Sequence, residues 1–108
     1  MGEKEVRDRV NEYIHQVLKY FDLKLVVLYG SFAKGDANEN SDIDIAVFID
    51  KDVDKRNHLE DSATLNRLIY DIDYRIEPVL YYSNELESLE GASFVAEILN
   101  TGVILFKN

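Results

Sequence analysis

Two short segments of this chain carry residue types suited to phosphate chemistry. Residues 29–35 read YGSFAKG, and residues 41–47 read SDIDIAV. On a strand Asp42 and Asp44 share one face, while the isoleucines between and after them point into the core. Neighbouring carboxylates repel each other unless a cation neutralises them. The pair therefore predicts a Mg²⁺ site of the kind that phosphoryl or nucleotidyl transfer requires.

Hydrophobic spacing predicts the elements that position these residues. Apolar residues at helical spacing predict three amphipathic helices, over residues 3–21, 55–72 and around 94–99. Short apolar runs predict four strands, over residues 25–29, 42–49, 74–82 and 103–106. A short helix is expected to start at Phe32 with Ser31 as its cap, and residues 35–40 are expected to form a loop.

The order of these elements indicates the fold class. Helices and strands alternate along the whole chain, which predicts a single α/β (α+β) domain over residues 1–108, with a small mixed sheet flanked by helices. Pro78 lies inside the third predicted strand. Since proline has no N–H to donate to a ladder, this strand is expected at a sheet edge or with a bulge.

The composition limits the class of protein. The chain has 108 residues, of which 46% are hydrophobic and 31% charged, as in one globular domain. No apolar run reaches about 18 residues, so no membrane span is expected, and the acidic N-terminus does not resemble a signal peptide. The absence of cysteine excludes disulfides, thiolate metal sites and cysteine nucleophiles. A cytoplasmic location fits these features.

The net charge constrains the partners. Twelve basic residues are scattered among twenty-one acidic ones, giving a formal net charge of −9. Binding to a long nucleic acid requires several Lys or Arg side chains against phosphates. The composition therefore favours a small nucleotide carried with Mg²⁺, or a basic protein partner, over a polynucleotide.

Gly30-Ser31, ten intervening residues and Asp42-x-Asp44 resemble the signature of the minimal nucleotidyltransferases, relatives of the DNA polymerase β superfamily. The resemblance covers residues 26–106 and includes the segment FVAEILNTG that begins at Phe94. It implies the polymerase β-like palm fold and a nucleoside triphosphate substrate, by default ATP. It also implies two Mg²⁺ ions and attack on the α-phosphate with release of pyrophosphate.

The resemblance also implies roles for the motif residues. Asp42 and Asp44 are expected to be catalytic and to hold the metal. Gly30 lets the backbone approach the triphosphate, and the Ser31 hydroxyl with the amides that follow it binds phosphate oxygens. Lys34 is assigned to nucleotide binding, with simple solvation as the alternative.

A third carboxylate normally completes such a site from the next strand. Asp73 and Glu77 are four residues apart, so on a straight strand they share a face about 13 Å apart, and only one reaches the metals. Glu77 is favoured as the third metal ligand or as the base, because Ile76-Glu77-Pro78 resembles this segment in small members of the family. Asp73 remains the alternative, and Arg75 is expected to bind phosphate, offset Glu77 or form an ion pair.

Three hypotheses on function follow from the resemblance. The first is a Mg²⁺- and ATP-dependent enzyme that transfers AMP to a protein, the antitoxin partner of a helical HEPN-domain toxin. The second is a binding module that neutralises or scaffolds such a partner by contact alone. The third is a sensor that binds ATP and Mg²⁺ without turnover. The sequence leaves the acceptor, the nucleotide preference and homo- or hetero-oligomerisation open.

Overall fold

The computed structural model describes residues 3–35, 37–38, 40–86 and 93–108, which form alternating helices and strands. The helices are α1 (Glu3–Val17), α2 (Ser31–Lys34), α3 (His58–Arg67) and α4 (Ser93–Thr101). The strands are β1 (Asp22–Tyr29), β2 (Ile43–Asp50), β3 (Ile76–Tyr82) and β4 (Val103–Lys107). This order confirms the predicted alternation of helices and strands. Positions 36 and 39 of the predicted loop lie outside the described residues.

The strands form one mixed sheet in the order β3-β2-β1-β4. Strand β1 pairs antiparallel with both β2 and β4, and β2 pairs parallel with β3 through the crossover helix α3. Strand β3, which contains Pro78, lies at an edge, as predicted. The end of β1 and the beginnings of β2 and β3 therefore meet at one end of the sheet.

The sheet is covered on both faces. Apolar residues of α1 and Leu65 of α3 pack on one face, with Leu28, Ile43 and Ile45 of the strands. Helix α4 covers the other face, where its Val95 and Ile98 pack with four strand residues (Leu25, Val27, Ala46 and Phe48). Within the described ranges, no helix is both long and apolar enough to span a membrane.

Helix α1 ends earlier in the chain than predicted, and strand β1 begins earlier. Helix α1 ends at Val17, and a short turn leads into β1 at Asp22 rather than at residue 25. The pairing of β1 with β2 is irregular between Leu23 and Leu25, so both leucines are buried although they lie on opposite faces. The sequence did not predict the start of β1 at Asp22, because this irregularity interrupts the alternation of side chains between the two faces that is expected of a strand.

Helix α3 is shorter than predicted, and part of its predicted apolar face is exposed. It begins after Asn57, whose side chain accepts a hydrogen bond from the Glu60 amide at 3.1 Å. Leu59 is 83% exposed. The buried residues of the helix are Leu65 and, unexpectedly, Asp61. Asp61 is buried where the sequence predicted Leu59, because two side chains form hydrogen bonds with its carboxylate.

Those partners are Lys51 and Tyr82, beyond the far end of β2 and at the far end of β3. Lys51 Nζ lies 2.9 Å from Asp61 Oδ1, and the Tyr82 hydroxyl donates to Asp61 Oδ2 at 2.7 Å. Burial raises the pKa of Asp61, but the hydrogen bonds from Lys51 and Tyr82 outweigh it and lower the pKa overall. This ion pair ties α3 to the sheet at the end opposite the site.

Candidate active site

The two motif aspartates lie at the start of β2 on the face that α4 covers further along. Asp42 immediately precedes the strand and is exposed, whereas Asp44 lies within it and is half-buried. Ile43 and Ile45 are fully buried on the opposite face. The predicted alternation of carboxylates and core isoleucines is therefore confirmed.

Parallel pairing of β2 with β3 brings Glu77 beside them. Glu77 is the register partner of Asp44. Desolvation raises the pKa of Glu77, and the charges of Asp42 and Asp44 and a hydrogen bond with Asp42 raise it further. Partial burial, followed by the charge of Asp42, likewise raises the pKa of Asp44. These neighbouring carboxylates repel one another at one end of the sheet, which favours binding of a proton or a cation.

Asp73 has a different position. Strand β3 begins at Ile76 rather than at residue 74, so Asp73 and Glu77 do not lie on one straight strand as predicted. Asp73 lies in the preceding turn, where Arg75 Nη2 is 2.7 Å from its Oδ2. The hydrogen bond from Arg75 lowers the pKa of Asp73. Of the three roles considered for Arg75, the structure shows the ion pair.

Gly30 connects β1 to α2 and lies against Asp44. Its φ of 74° and ψ of −150° belong to a region that is essentially restricted to glycine. A Cβ at this position would lie 2.5 Å from Asp44 Oδ2. Gly30 is itself the N-cap of α2, and Ser31 is the first helical residue, so the prediction that Ser31 caps the helix was wrong. The absence of a side chain at Gly30 therefore lets this turn pack directly against the Asp44 carboxylate.

Tyr29 is a site residue that the sequence did not indicate. It is the β1 partner of Asp44, and its ring contacts Phe94 of α4 edge-on, with centroids 5.8 Å apart. Burial, and then the charges of Asp44, Tyr81 and Glu77, raise the pKa of Tyr29 to about 12. The hydroxyl therefore stays protonated into the alkaline range and remains a hydrogen-bond donor there.

Lys34 lies at the end of α2 and is exposed. Together with Tyr29 and Gly30 it lines an open cavity of about 130 Å³, whose other side is lined by four α4 residues (Phe94, Glu97, Ile98 and Thr101). Pockets for whole drug-sized ligands start at about 300 Å³. The cavity is therefore smaller than a typical pocket that encloses a whole ligand.

The donor set suits Mg²⁺ better than a softer metal. In the part of the chain that the structure describes, no three His, Cys, Asp or Glu side chains converge as a ready-made metal cluster. Mg²⁺ does not need one, because it is usually held by one or two carboxylates while waters and substrate phosphates complete its octahedron. Asp42 and Asp44, with Glu77 beside them, supply oxygen donors of this kind.

Comparison with protein families identifies the group to which the chain belongs. The model of the family described as "Polymerase beta, Nucleotidyltransferase" matches residues 11–108. The chain belongs to this family. The predicted resemblance, the nucleotidyltransferase fold and the assignment to a class of enzymes are thereby confirmed. The description of this family denotes enzymes that transfer nucleotides.

Two proteins from Methanocaldococcus jannaschii that are similar to this chain are provisionally named protein adenylyltransferases. MJ1305 is 32% identical over 92 residues, which are 80% of this chain but 61% of MJ1305. MJ0141 is 28% identical over 103 residues, which are 92% of this chain and 97% of MJ0141. The chain thus spans less than two thirds of the length of MJ1305 and nearly all of MJ0141.

Solved structures share the fold. A protein from Sulfolobus solfataricus, provisionally described as a nucleotidyltransferase, matches with a TM-score of 0.72 and 20% identity. The match covers 98% of this chain and 84% of the Sulfolobus chain. A toxin–antitoxin complex with AMP-PNP has a TM-score of 0.58 and 24% identity, covering 94% and 73%. A double Asp-to-Glu mutant of the toxin–antitoxin MntA-HpeT has a TM-score of 0.54 and 22% identity, covering 100% and 75%.

Proposed function

We propose that this chain transfers AMP from ATP to a hydroxyl group of a protein partner, in a reaction that depends on Mg²⁺. The observation that carries the proposal is the juxtaposition of Asp42, Asp44 and Glu77 beside the glycine turn at Gly30. Adjacent carboxylates with raised pKa values cost stability in the absence of a cation, so a purely structural role gives no reason for them.

Each residue has a defined role in the proposed reaction. Gly30 and Ser31 hold the triphosphate through backbone amides and the serine hydroxyl, and Lys34 binds a phosphate oxygen. Asp42 and Asp44 hold Mg²⁺. The ion, when bound, neutralises charge on the α-phosphate and on the leaving pyrophosphate. Glu77 either completes the metal site or accepts the proton of the acceptor hydroxyl.

The proposed chemistry is a single displacement. The acceptor oxygen forms a bond to the α-phosphorus, and the bond from that phosphorus to the oxygen bridging to the β-phosphate breaks. Pyrophosphate leaves with the electron pair, and the acceptor proton passes to a carboxylate oxygen at the site. The products are the AMP ester of the acceptor and pyrophosphate.

A protein acceptor is favoured for two reasons. Two relatives bear the name protein adenylyltransferase, and two structural neighbours are toxin–antitoxin complexes, one of them with AMP-PNP. The net charge of −9 suits a basic protein rather than RNA or DNA. We propose that this chain is the antitoxin of such a pair and that its partner is a helical HEPN-type toxin. The same charge supports the second candidate, neutralisation of that toxin by contact alone.

Mass spectrometry of the co-purified, neighbour-encoded protein tests the proposal. The chain is incubated with this protein, ATP and Mg²⁺, either unaltered or as D42N/D44N. The matched control is D52N/D54N, which removes two exposed carboxylates at the same spacing beyond the far end of β2. A gain of one AMP unit or a multiple is expected with the unaltered chain and the control, and none with D42N/D44N.

The other outcomes separate the alternatives. A stable complex without any mass gain, unchanged in D42N/D44N, supports neutralisation by contact. Binding of Mg²⁺ and ATP to the isolated chain without transfer or complex formation supports a sensor. Failure to bind ATP with Mg²⁺ at all refutes the nucleotide site itself.

A further inference from the structure

A buried ion pair closes the turn that precedes the strand of Glu77. The Asp73 and Arg75 side chains are 9% and 6% exposed. Arg75 donates from Nη2 to Asp73 Oδ2 at 2.7 Å and from Nε to Oδ1 at 3.0 Å. The Arg75 backbone N–H also donates to Oδ1 at 3.0 Å. Two parallel bonds of a guanidinium fork and one backbone bond therefore fix a single conformation.

The same turn is bonded to the segment that carries the two aspartates. The Ile43 N–H donates to the Arg75 carbonyl at 2.8 Å, and the Ile76 N–H donates to the Asp73 carbonyl at 3.1 Å. Ile43 stands between the motif aspartates and is the register partner of Ile76. These bonds fix where the parallel pairing of β2 and β3 begins.

The beginning of the pairing decides the position of Glu77. Since side chains alternate along a strand, a slip of one residue in β3 would turn Glu77 to the opposite face of the sheet. Strand β3 is an edge strand, paired only with β2 among the described strands. An edge strand held from one side depends more than a central strand does on what fixes its end.

We infer that Asp73 and Arg75 are positioning residues, which hold Glu77 opposite Asp44 so that the carboxylates bind the metal together. The inference rests on the proposed function in so far as Glu77 belongs to the metal site. It predicts that the ion pair matters for cation affinity although neither side chain touches the cation. It also predicts that this effect operates through Glu77.

The test replaces the pair by apolar residues of similar size, as D73L/R75M. Replacement of both partners avoids a single uncompensated buried charge, and such exchanges often preserve stability. The matched control, K51M/D61L, removes the Lys51–Asp61 ion pair, which also has a buried carboxylate and lies beyond the far end of β2. A milder variant, R75K, keeps the charge but loses the fork, in case the double replacement does not fold.

Two readouts that do not need turnover are compared. Hydrogen exchange of the Ile43 amide, followed by NMR, reports on the bond to the Arg75 carbonyl. Titration with Mn²⁺, followed by electron paramagnetic resonance, reports on cation affinity. In D73L/R75M we expect faster exchange at Ile43 and a loss of Mn²⁺ affinity of about 10-fold or more, as for other residues that orient metal ligands. The control is expected to match the wild type in both.

A double-mutant cycle with E77Q separates positioning from general damage. In the E77Q background the replacement of the ion pair is expected to cause no further loss of Mn²⁺ affinity. An equal loss in both backgrounds, or unchanged exchange at Ile43, overturns the inference. A wild-type chain that binds neither Mn²⁺ nor ATP with Mg²⁺ refutes the proposed function instead, and exchange at Ile43 then still decides whether the pair fixes the turn.

Discussion

Replacement of Gly30 by alanine should affect the site and the fold together. Gly30 has a φ of 74° and a ψ of −150°, and an added Cβ would lie 2.5 Å from Asp44 Oδ2. Gly35 provides a matched control in the same turn region. Its φ is 79°, but nothing lies within 4 Å of the position that its Cβ would take. The two alanine variants therefore differ mainly in the contact with Asp44.

The expected magnitudes follow from these geometries. Alanine at the left-handed position of Gly35 should cost about 1 kcal/mol. At Gly30 the backbone strain should cost about 2 kcal/mol. Displacement of the Asp44 carboxylate should cost about 2 kcal/mol more, as overpacking does elsewhere. For a domain near 100 residues, 1 kcal/mol lowers the Tm by about 4–8 °C, so G30A should lose at least about 15 °C and G35A about 4–8 °C.

Calorimetry and nucleotide binding measure the two parts of the effect. G30A should bind ATP with Mg²⁺ more weakly than G35A, because it displaces a proposed metal ligand. The double variant G30A/D44A should recover about half of the stability lost in G30A, since the contact is then absent. Equal Tm values for G30A and G35A would refute the argument that Gly30 is required by its contact with Asp44.

Three further predictions concern charge. Because the pKa values of Asp44 and Glu77 are raised above 3.8 and 4.5, the folded state binds their protons more tightly, so their contribution to the free energy of unfolding should increase as the pH falls through the raised values. Urea unfolding in EDTA should show this, and D44N should reduce the dependence. D61A should cost about 2 kcal/mol at neutral pH because it removes the buried carboxylate that accepts hydrogen bonds from Lys51 and Tyr82. Because the pKa of Asp61 is lowered below 3.8, its carboxylate stabilises the folded state above pH 3.8. In urea titrations the difference in the free energy of unfolding between wild type and D61A should therefore decrease as the pH falls below this value. K34A should weaken ATP binding by about 10-fold, as expected for one charge-assisted hydrogen bond, and calorimetry should show unfolding within about 0.5 kcal/mol of wild type because Lys34 is exposed.

Most of the fold could be predicted because it depends on local patterns. The apolar runs and the alternation of Asp42 and Asp44 with buried isoleucines mark strands directly. Boundaries were less accurate where a tertiary contact overrides the pattern. Asp61 is buried because Lys51 and Tyr82 satisfy it, and no local pattern of α3 carries that information.

The site could be predicted only as far as its local motifs. Strand geometry alone did not separate Asp73 from Glu77, and only the family resemblance favoured Glu77. The reason is that their relative positions depend on where β3 begins, which no local pattern in the preceding turn indicates. Tyr29 was missed because its place beside Asp44 depends on the register of β1 against β2, which no single segment specifies. The conformation of Gly30 was missed because Ser31 is the commoner type of cap.

The strand order has a consequence for how the chain is made. Of the four strands described, β1 is synthesised first, yet it lies inside the sheet between β2 and β4, and β4 is synthesised last. Until β4 arrives, one edge of β1 exposes the backbone of an apolar segment that includes Val26 and Val27, and such edges pair readily with other chains. Strand β4 also pairs with Leu28, two residues before Gly30. Until β4 is synthesised, the end of β1 that leads into the glycine turn lacks this pairing. Growing chains should therefore be most prone to aggregation between synthesis of β1 and synthesis of β4.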